Sequence, residues 1–220
     1  MVRKNRISLL LILGMTLIGM TGSRIANADF SDDFSDGNDD GWQHIVGTEF
    51  YVETGQYSIG STNDDIITMS IVGSLSYVDA TMTVDATIQS ADTDLFVIFD
   101  YVDTDNWIGW GFQNYDLNYN HMVGGVLQVQ WVSAAPESGT HSYQVDKQGS
   151  SIDLYYDGAL LLSDSFSGNL GSIGLMTIDG HAHFDDFSVT GTPAPEPSSI
   201  ILVGAGLMGM TVFRKRHTKA

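Results

Sequence analysis

The chain has 220 residues, nine of them basic and 27 acidic, giving a formal charge of −18 at pH 7, and it has no cysteine. Nucleic acid is excluded as a partner, because there is no basic footprint to neutralise phosphates. An exported form would have to stand without disulfides.

Arg3, Lys4 and Arg6 open the chain, and an apolar run follows from Ile7 to Met20. Ala26 and Ala28 flank Asn27 as a small-x-small cleavage site. This order predicts a signal-peptide helix within residues 1–28, removed by signal peptidase, with the mature chain starting at Asp29. Between residues 29 and 192 only one basic residue remains, Lys147, against 26 acidic ones. So acidic a segment suits life in salty water, where screening weakens self-repulsion, or the binding of divalent cations. Its apolar content and length suffice for one domain with one core.

The middle reads as strands broken by turns. Val78, Ala80, Met82, Val84, Ala86 and Ile88 alternate with polar residues, which predicts a half-buried antiparallel strand over 77–89. Leu95 to Tyr101 is nearly all apolar, as in a strand covered on both faces. Val126 to Val132 alternates again. Ser151–Tyr156 and Ala159–Ser163 flank Asp157-Gly158, a strong hairpin signal, and Lys147 to Ser150 reads as a turn. Helical periodicity occurs only at the two ends. The expected class is all-β, an antiparallel jelly-roll sandwich over 29–192, flanked by an N-terminal signal helix and a C-terminal apolar helix.

The last segment, 193–220, contains Pro195-Glu196-Pro197, an apolar run from Ile200 to Phe213, and Arg214-Lys215-Arg216. The run is short for a transmembrane span, which needs about 17–25 residues. Its basic end would stay on the cytoplasmic side. This tail resembles the PEP-CTERM sorting signal of Gram-negative bacteria. The resemblance implies recognition and cutting by a membrane-embedded exosortase. It also implies passage through the inner membrane to the envelope, cell surface or extracellular matrix, with an association with exopolysaccharide and biofilm. Within the body, Tyr143 to Val145, Ile152 to Gly158, Gly171 to Leu175, Phe184 to Phe187 and the opening Phe30 to Trp42 resemble the concanavalin A-like lectin/glucanase superfamily. That resemblance implies a jelly roll of two curved sheets, in a superfamily whose members often bind carbohydrate and sometimes hydrolyse it.

Four candidate sites follow. Asp-Asp-Phe-Ser occurs at 32–35 and again at 185–188. If the first and last strands are neighbours, Asp32, Asp33, Asp185 and Asp186 crowd one seam, where Ca²⁺ would relieve their repulsion. Asp36, Asn38 and Asp40 with Gly41 match the start of an EF-hand-like loop. Gly47 then stands where the bidentate glutamate belongs, so an acidic turn is the competing reading. Asp103 to Asn106 is a second, weaker acidic turn. Trp107, Trp110, Phe112, Tyr115, Tyr119 and Trp131 cluster beside Asp105, Asn106, Asn114, Asn118 and Asn120. Flat rings next to amides and carboxylates are what sugar binding uses, and core packing is the competing fate. Trp107 and Tyr119 are expected to be the exposed pair, with Trp107 and Trp110 on opposite faces. His181 and His183 share a strand face near Asp185, a spacing that can grip a transition metal.

Catalysis finds little support. A retaining glycosidase needs two carboxyls about 5 Å apart. The body has only Glu49, Glu53 and Glu137, and Glu49 and Glu53 lack the aspartate expected between them. No G-x-S-x-G, H-E-x-x-H or P-loop is present. The G-x-G-x-x-G at Gly204 lies in the apolar tail, follows no strand and is not a nucleotide site. The expectation is an exported, non-catalytic β-sandwich protein that binds extracellular polysaccharide. The alternatives are a laminarinase-type enzyme and a cation-stabilised matrix protein.

Overall fold

A computed structural model describes residues 29–61, 66–88, 93–134, 138–165 and 171–193. The signal-peptide segment with Ala26 and Ala28, Glu137, and the tail beyond Pro193 lie outside the described residues. Every described element is a strand, and every pairing is antiparallel. The strands are β1 (Phe30–Asp32), β2 (Trp42–Val46), β3 (Glu49–Glu53), β4 (Gln56–Ser61), β5 (Ile67–Ile88), β6 (Asp94–Tyr101) and β7 (Trp107–Gln113). Then come β8 (Asp116–Val123), β9 (Val126–Ala134), β10 (Gly139–Gln148), β11 (Ser151–Tyr156), β12 (Ala159–Ser165), β13 (Ser172–Ile178) and β14 (Gly180–Pro193).

Two sheets form. Sheet A runs β3-β4-β14-β5-β10-β11-β12, with β1 also against β14. Sheet B runs β2-β5-β13-β6-β7-β8-β9. Strand β5 belongs to both: residues 67–76 pair in sheet B and residues 77–88 pair in sheet A. The alternation over 77–89 is thus the second half of a 22-residue strand. A period of two does not change where a strand passes from one sheet to the other, so the sequence does not mark the crossing.

The core lies between the sheets. Met82, Val84 and Ala86 of β5 face Val97 and Phe99 of β6, Trp110 and Phe112 of β7, Tyr119 of β8, and Tyr143 and Val145 of β10. A second apolar cluster sits on the outer face of sheet B, built from Met69, Phe96, Ile98, Trp107 and Met176. That double covering explains why β6 is apolar almost throughout. The Asp157-Gly158 hairpin forms as expected, both residues having φ > 0, at 48° and 76°. Lys147 does not begin a turn. It is the penultimate residue of β10, and the turn is Gly149-Ser150.

Lys147 is buried, 5% exposed, and its ammonium donates to the Tyr77 carbonyl at 2.9 Å. Tyr77 stands where β5 changes sheet. Burial pulls the ammonium down from its ordinary range, and the carboxylates of Asp100 and Asp79 push it back up. Asp100 is itself buried on β6, in the other sheet, and accepts from the Gly171 amide at 2.6 Å. Lys147→Met leaves this carboxylate buried without its cation, a loss of about 3–5 kcal/mol for partners of this kind. Urea unfolding should show that loss, and Asp100→Asn added to Lys147→Met should recover a large part of it.

Candidate functional site

The first and last described strands meet in a seam, as the jelly-roll resemblance implies. Phe30, Ser31 and Asp32 pair with Val189, Ser188 and Phe187. The repeat has a packing reason: Phe34 and Phe187 are both buried, and they join Phe30, Trp42 and Tyr57 in a cluster of ring contacts. Asp33, Asp36 and Asp186 line an open pocket there with Asp32 and Ser31. Most of these carboxylates already have donors. Asp32 accepts from the Phe34 amide and from Trp42 Nε1, both at 2.9 Å. Asp33 accepts from the amide and hydroxyl of Ser35, which hold its carboxyl below the usual aspartate range. Asp185 sits across from Asp85; burial raises its carboxyl, and Asp186 and Asp85 add to the rise.

The EF-hand-like segment is a chain of side-chain-capped turns. Asp36 accepts from the Asn38 amide at 3.1 Å and Asn38 accepts from the Asp40 amide at 2.9 Å. The residue types that serve a calcium loop also serve such turns, since both use a short side-chain oxygen beside the backbone. Among the described residues no three histidines or carboxylates converge as metal ligands. His181 Nε2 faces the Glu49 carboxylate at 3.1 Å, in the same row across β14, β4 and β3. Burial holds His183 below the usual histidine range.

The aromatic cluster is divided by the fold. Trp107 and Trp110 do face opposite sides, Trp110 between the sheets and Trp107 on the outer face of sheet B. The expectation that Trp107 and Tyr119 are exposed is overturned: they are 3% and 0% exposed, and Trp110 and Phe112 are equally enclosed. These rings sit on β7 and β8, inside the sheet. The exposed rings are Trp131, at 61%, and Tyr115, at 46%. Trp131 lies on the edge strand β9, and Tyr115 lies in the β7–β8 turn, where Asn114 and Tyr115 both have φ > 0.

Register shows what surrounds Trp131. It pairs with Asn118, which pairs with Gly111, which pairs with Phe96, so these four residues form a row across the outer face of sheet B. The next row is Val129, Asn120, Gly109 and Ile98. A hydrogen-bonded network underlies the rows. Gln113 Nε2 donates to Asp94 at 2.9 Å, and Asn120 Nδ2 donates to Gln113 Oε1 at 3.2 Å. The Asn114 amide donates to Asp94 at 3.1 Å, and Asn118 Nδ2 donates to the Gln113 carbonyl at 3.0 Å. The network pins the β7–β8 turn at the end of sheet B nearest Trp131. Asn118 and Asn120 are themselves buried, so they support the surface and do not form it. Asp105 and Asn106 lie at the other end of these strands. Asn106 accepts from the Gly124 amide and donates to Asp103, which ties two turns together. The sequence placed Trp131 in the cluster but not in the exposed pair, because an alternating edge strand looks like an alternating inner one.

Residues 193–216 match the PEP-CTERM protein-sorting motif. The chain carries that sorting signal. Pro195, Glu196, Pro197, Arg214, Lys215 and Arg216 all fall within the match. No curated protein matches the sequence. Among solved structures, the fold resembles a carbohydrate-binding module, CBM66, from Bacillus subtilis, at 19% identity and a TM-score of 0.61, over 68% of this chain and 94% of that one. It also resembles a protein of unknown function with a galectin-like fold from Bacillus subtilis, at 12% identity and a TM-score of 0.60, over 76% of this chain and 96% of that one. A Bacillus licheniformis beta-glucanase matches at 17% identity and a TM-score of 0.55, over 74% of this chain and 98% of that one. At these identities the likeness establishes the fold, the expected jelly-roll sandwich.

Two outcomes check this assignment of the rings. Trp110→Ala should lower stability by about 3–5 kcal/mol, as buried aromatic truncations do. Trp131→Ala should change it by no more than about 0.5 kcal/mol. Thermal melts of the two variants separate the roles.

A pH series checks the buried acids. Burial raises the carboxyls of Asp94 and Asp100 above the ordinary aspartate value of 3.8. Between that value and the raised folded one, the folded chain holds protons that the unfolded chain has released. Their contribution to stability therefore grows as pH falls through the raised values and levels off below the ordinary one. Melting temperature recorded from pH 7 to 4 should show this component, and Asp94→Asn with Asp100→Asn should remove it.

Proposed function

We propose that this is an exported, non-catalytic sandwich protein, carried to the cell envelope or matrix by its tail, which binds extracellular polysaccharide through Trp131. The observation that carries the reading is the exposed indole of Trp131 on the outer face of sheet B, in register with Asn118, which is two positions along β8 from Asp116. An exposed flat ring suits a pyranose face, and Asn114, Tyr115 and Asp116 at the same end of the sheet offer partners for its hydroxyls. The similarity to a carbohydrate-binding module supports the same reading at the level of fold. In this reading signal peptidase removes residues 1–28, and an exosortase-type enzyme processes the tail.

The absence of catalysis is supported by the placing of the glutamates. Glu49 and Glu53 stand four residues apart on one strand, which separates them by about 13 Å, far from the roughly 5 Å of a retaining pair. Glu49 is also engaged by His181. Structural Ca²⁺ at the seam of Asp33, Asp36 and Asp186 is a separable part of the proposal.

Pull-down on polysaccharides, including those of the host envelope, tests the reading with and without Ca²⁺. Retention should weaken at least about tenfold in Trp131→Ala, which is about 1.4 kcal/mol, and less in Tyr115→Ala. Retention unchanged by Trp131→Ala, or none on any polysaccharide, rejects it. Reducing-sugar release that is lost in Glu49→Gln would instead favour an enzyme.

A further inference from the structure

The exposed apolar side chains are not scattered. Six of the eleven large ones that are exposed among the described residues are Val126, Leu127, Val129, Trp131, Leu160 and Leu161. The first four lie on β9, the outer edge of sheet B, and the last two on β12, the outer edge of sheet A. These two edges lie beside each other on one side of the sandwich. Contiguous apolar surface of this kind marks an interaction site.

The strand is guarded only at its far end, by one register shift between Trp131 and Ser133. β9 has nine residues, Val126 to Ala134, without a charge or a proline. An edge strand presents unpaired amides and carbonyls, and proteins ordinarily protect such edges with charge, proline, a bulge or shortness. The other edges of this molecule follow that rule. β3 carries Glu49 and Glu53, β12 carries Asp164, and β2 has five residues and an irregular register.

Charge decides what can sit there. The body has one buried base against 26 acids, so two copies repel each other over most of their surface. A cationic partner would be drawn to the carboxylates and not to an uncharged edge. A second copy of this chain has the opposite requirement: it can approach only where ionised groups are missing. β9 is the longer of the two edges without acid or base, since β2 has five residues and its His44 meets Asp39. Antiparallel pairing about a two-fold axis also needs no separate complementary strand, since one row of backbone groups meets itself. The regular stretch from Val126 to Trp131, ahead of the register shift, is about 20 Å long, enough for a short ladder.

We propose that β9 pairs with β9 of a second copy, joining two B sheets into one continuous sheet, with β12 of each copy adding apolar contact at the junction. The proposal does not depend on glycan binding. It places the two Trp131 faces side by side in one assembly.

The absence of cysteine makes the test clean. Single cysteines are introduced in turn at positions 126–134 of the full-length chain, with Glu49→Cys and Thr190→Cys as controls, and oxidised in the cell envelope. One or two adjacent β9 positions, those nearest the two-fold axis, should give a species of doubled mass on a non-reducing gel, and the controls should not. Gln128→Lys with Gln130→Lys, which puts charge on the edge without touching Trp131, should reduce that species at least tenfold while leaving the circular dichroism spectrum unchanged. Raised salt should increase it by screening the repulsion. Equal crosslinking from β9 and control positions, none from β9, or no response to the lysine pair in a folded variant overturns the proposal. So does recovery of a crosslink to a different protein.

Discussion

The structure depends on one strand serving two sheets. β5 pairs in sheet B with its first half and in sheet A with its second, so it fixes how the layers sit over one another. The backbone at its crossing cannot satisfy every hydrogen bond within a regular ladder. The Tyr77 carbonyl at that point is taken by the ammonium of Lys147, the only base between residues 29 and 192. The same ammonium draws the buried Asp100 carboxylate of the opposite sheet. A single cation thus holds the crossing and relates the layers, in a body where every other ionised side chain is an acid or a histidine.

The acids also explain why so many turns look like ligand loops. Asp32, Asp33, Asp36, Asn38 and Asp103 each accept from the amide two residues ahead. Between residues 29 and 192, with one lysine, few aspartates can find an ion pair, so backbone amides take that place. The two Asp-Asp-Phe-Ser segments serve the same economy at the seam. Each delivers one phenylalanine to the core and leaves acids near the surface.

Much of the fold was legible because periodicity reports burial directly. The class, the Asp157-Gly158 hairpin and the doubly covered β6 follow from local pattern, and the meeting of first and last strands from the jelly-roll resemblance. The candidate site was legible only in part. The sequence located the ring-rich stretch from Trp107 to Trp131, but it chose Trp107 and Tyr119 as the surface pair. Their exposure is set by strand order: β7 and β8 lie inside sheet B and β9 ends it, and no local pattern states that order. The crossing of β5 was hidden for a related reason, since a strand keeps its alternation while its neighbours change. Lys147 read as part of a turn because a charged residue before Gln148-Gly149-Ser150 gives no hint of a buried partner.

The enclosure of Lys147 bears on resistance to proteolysis. Trypsin-like proteases cut after lysine or arginine, and they need an extended, accessible segment to do so. Between residues 29 and 192 they meet a single candidate bond, whose lysine is buried and paired into a strand on both sides. The remaining basic residues fall at positions 3–24 and 214–219, so such enzymes find no other bond to cut in the sandwich itself. The charge composition therefore makes the sandwich durable against a whole class of digestive enzymes.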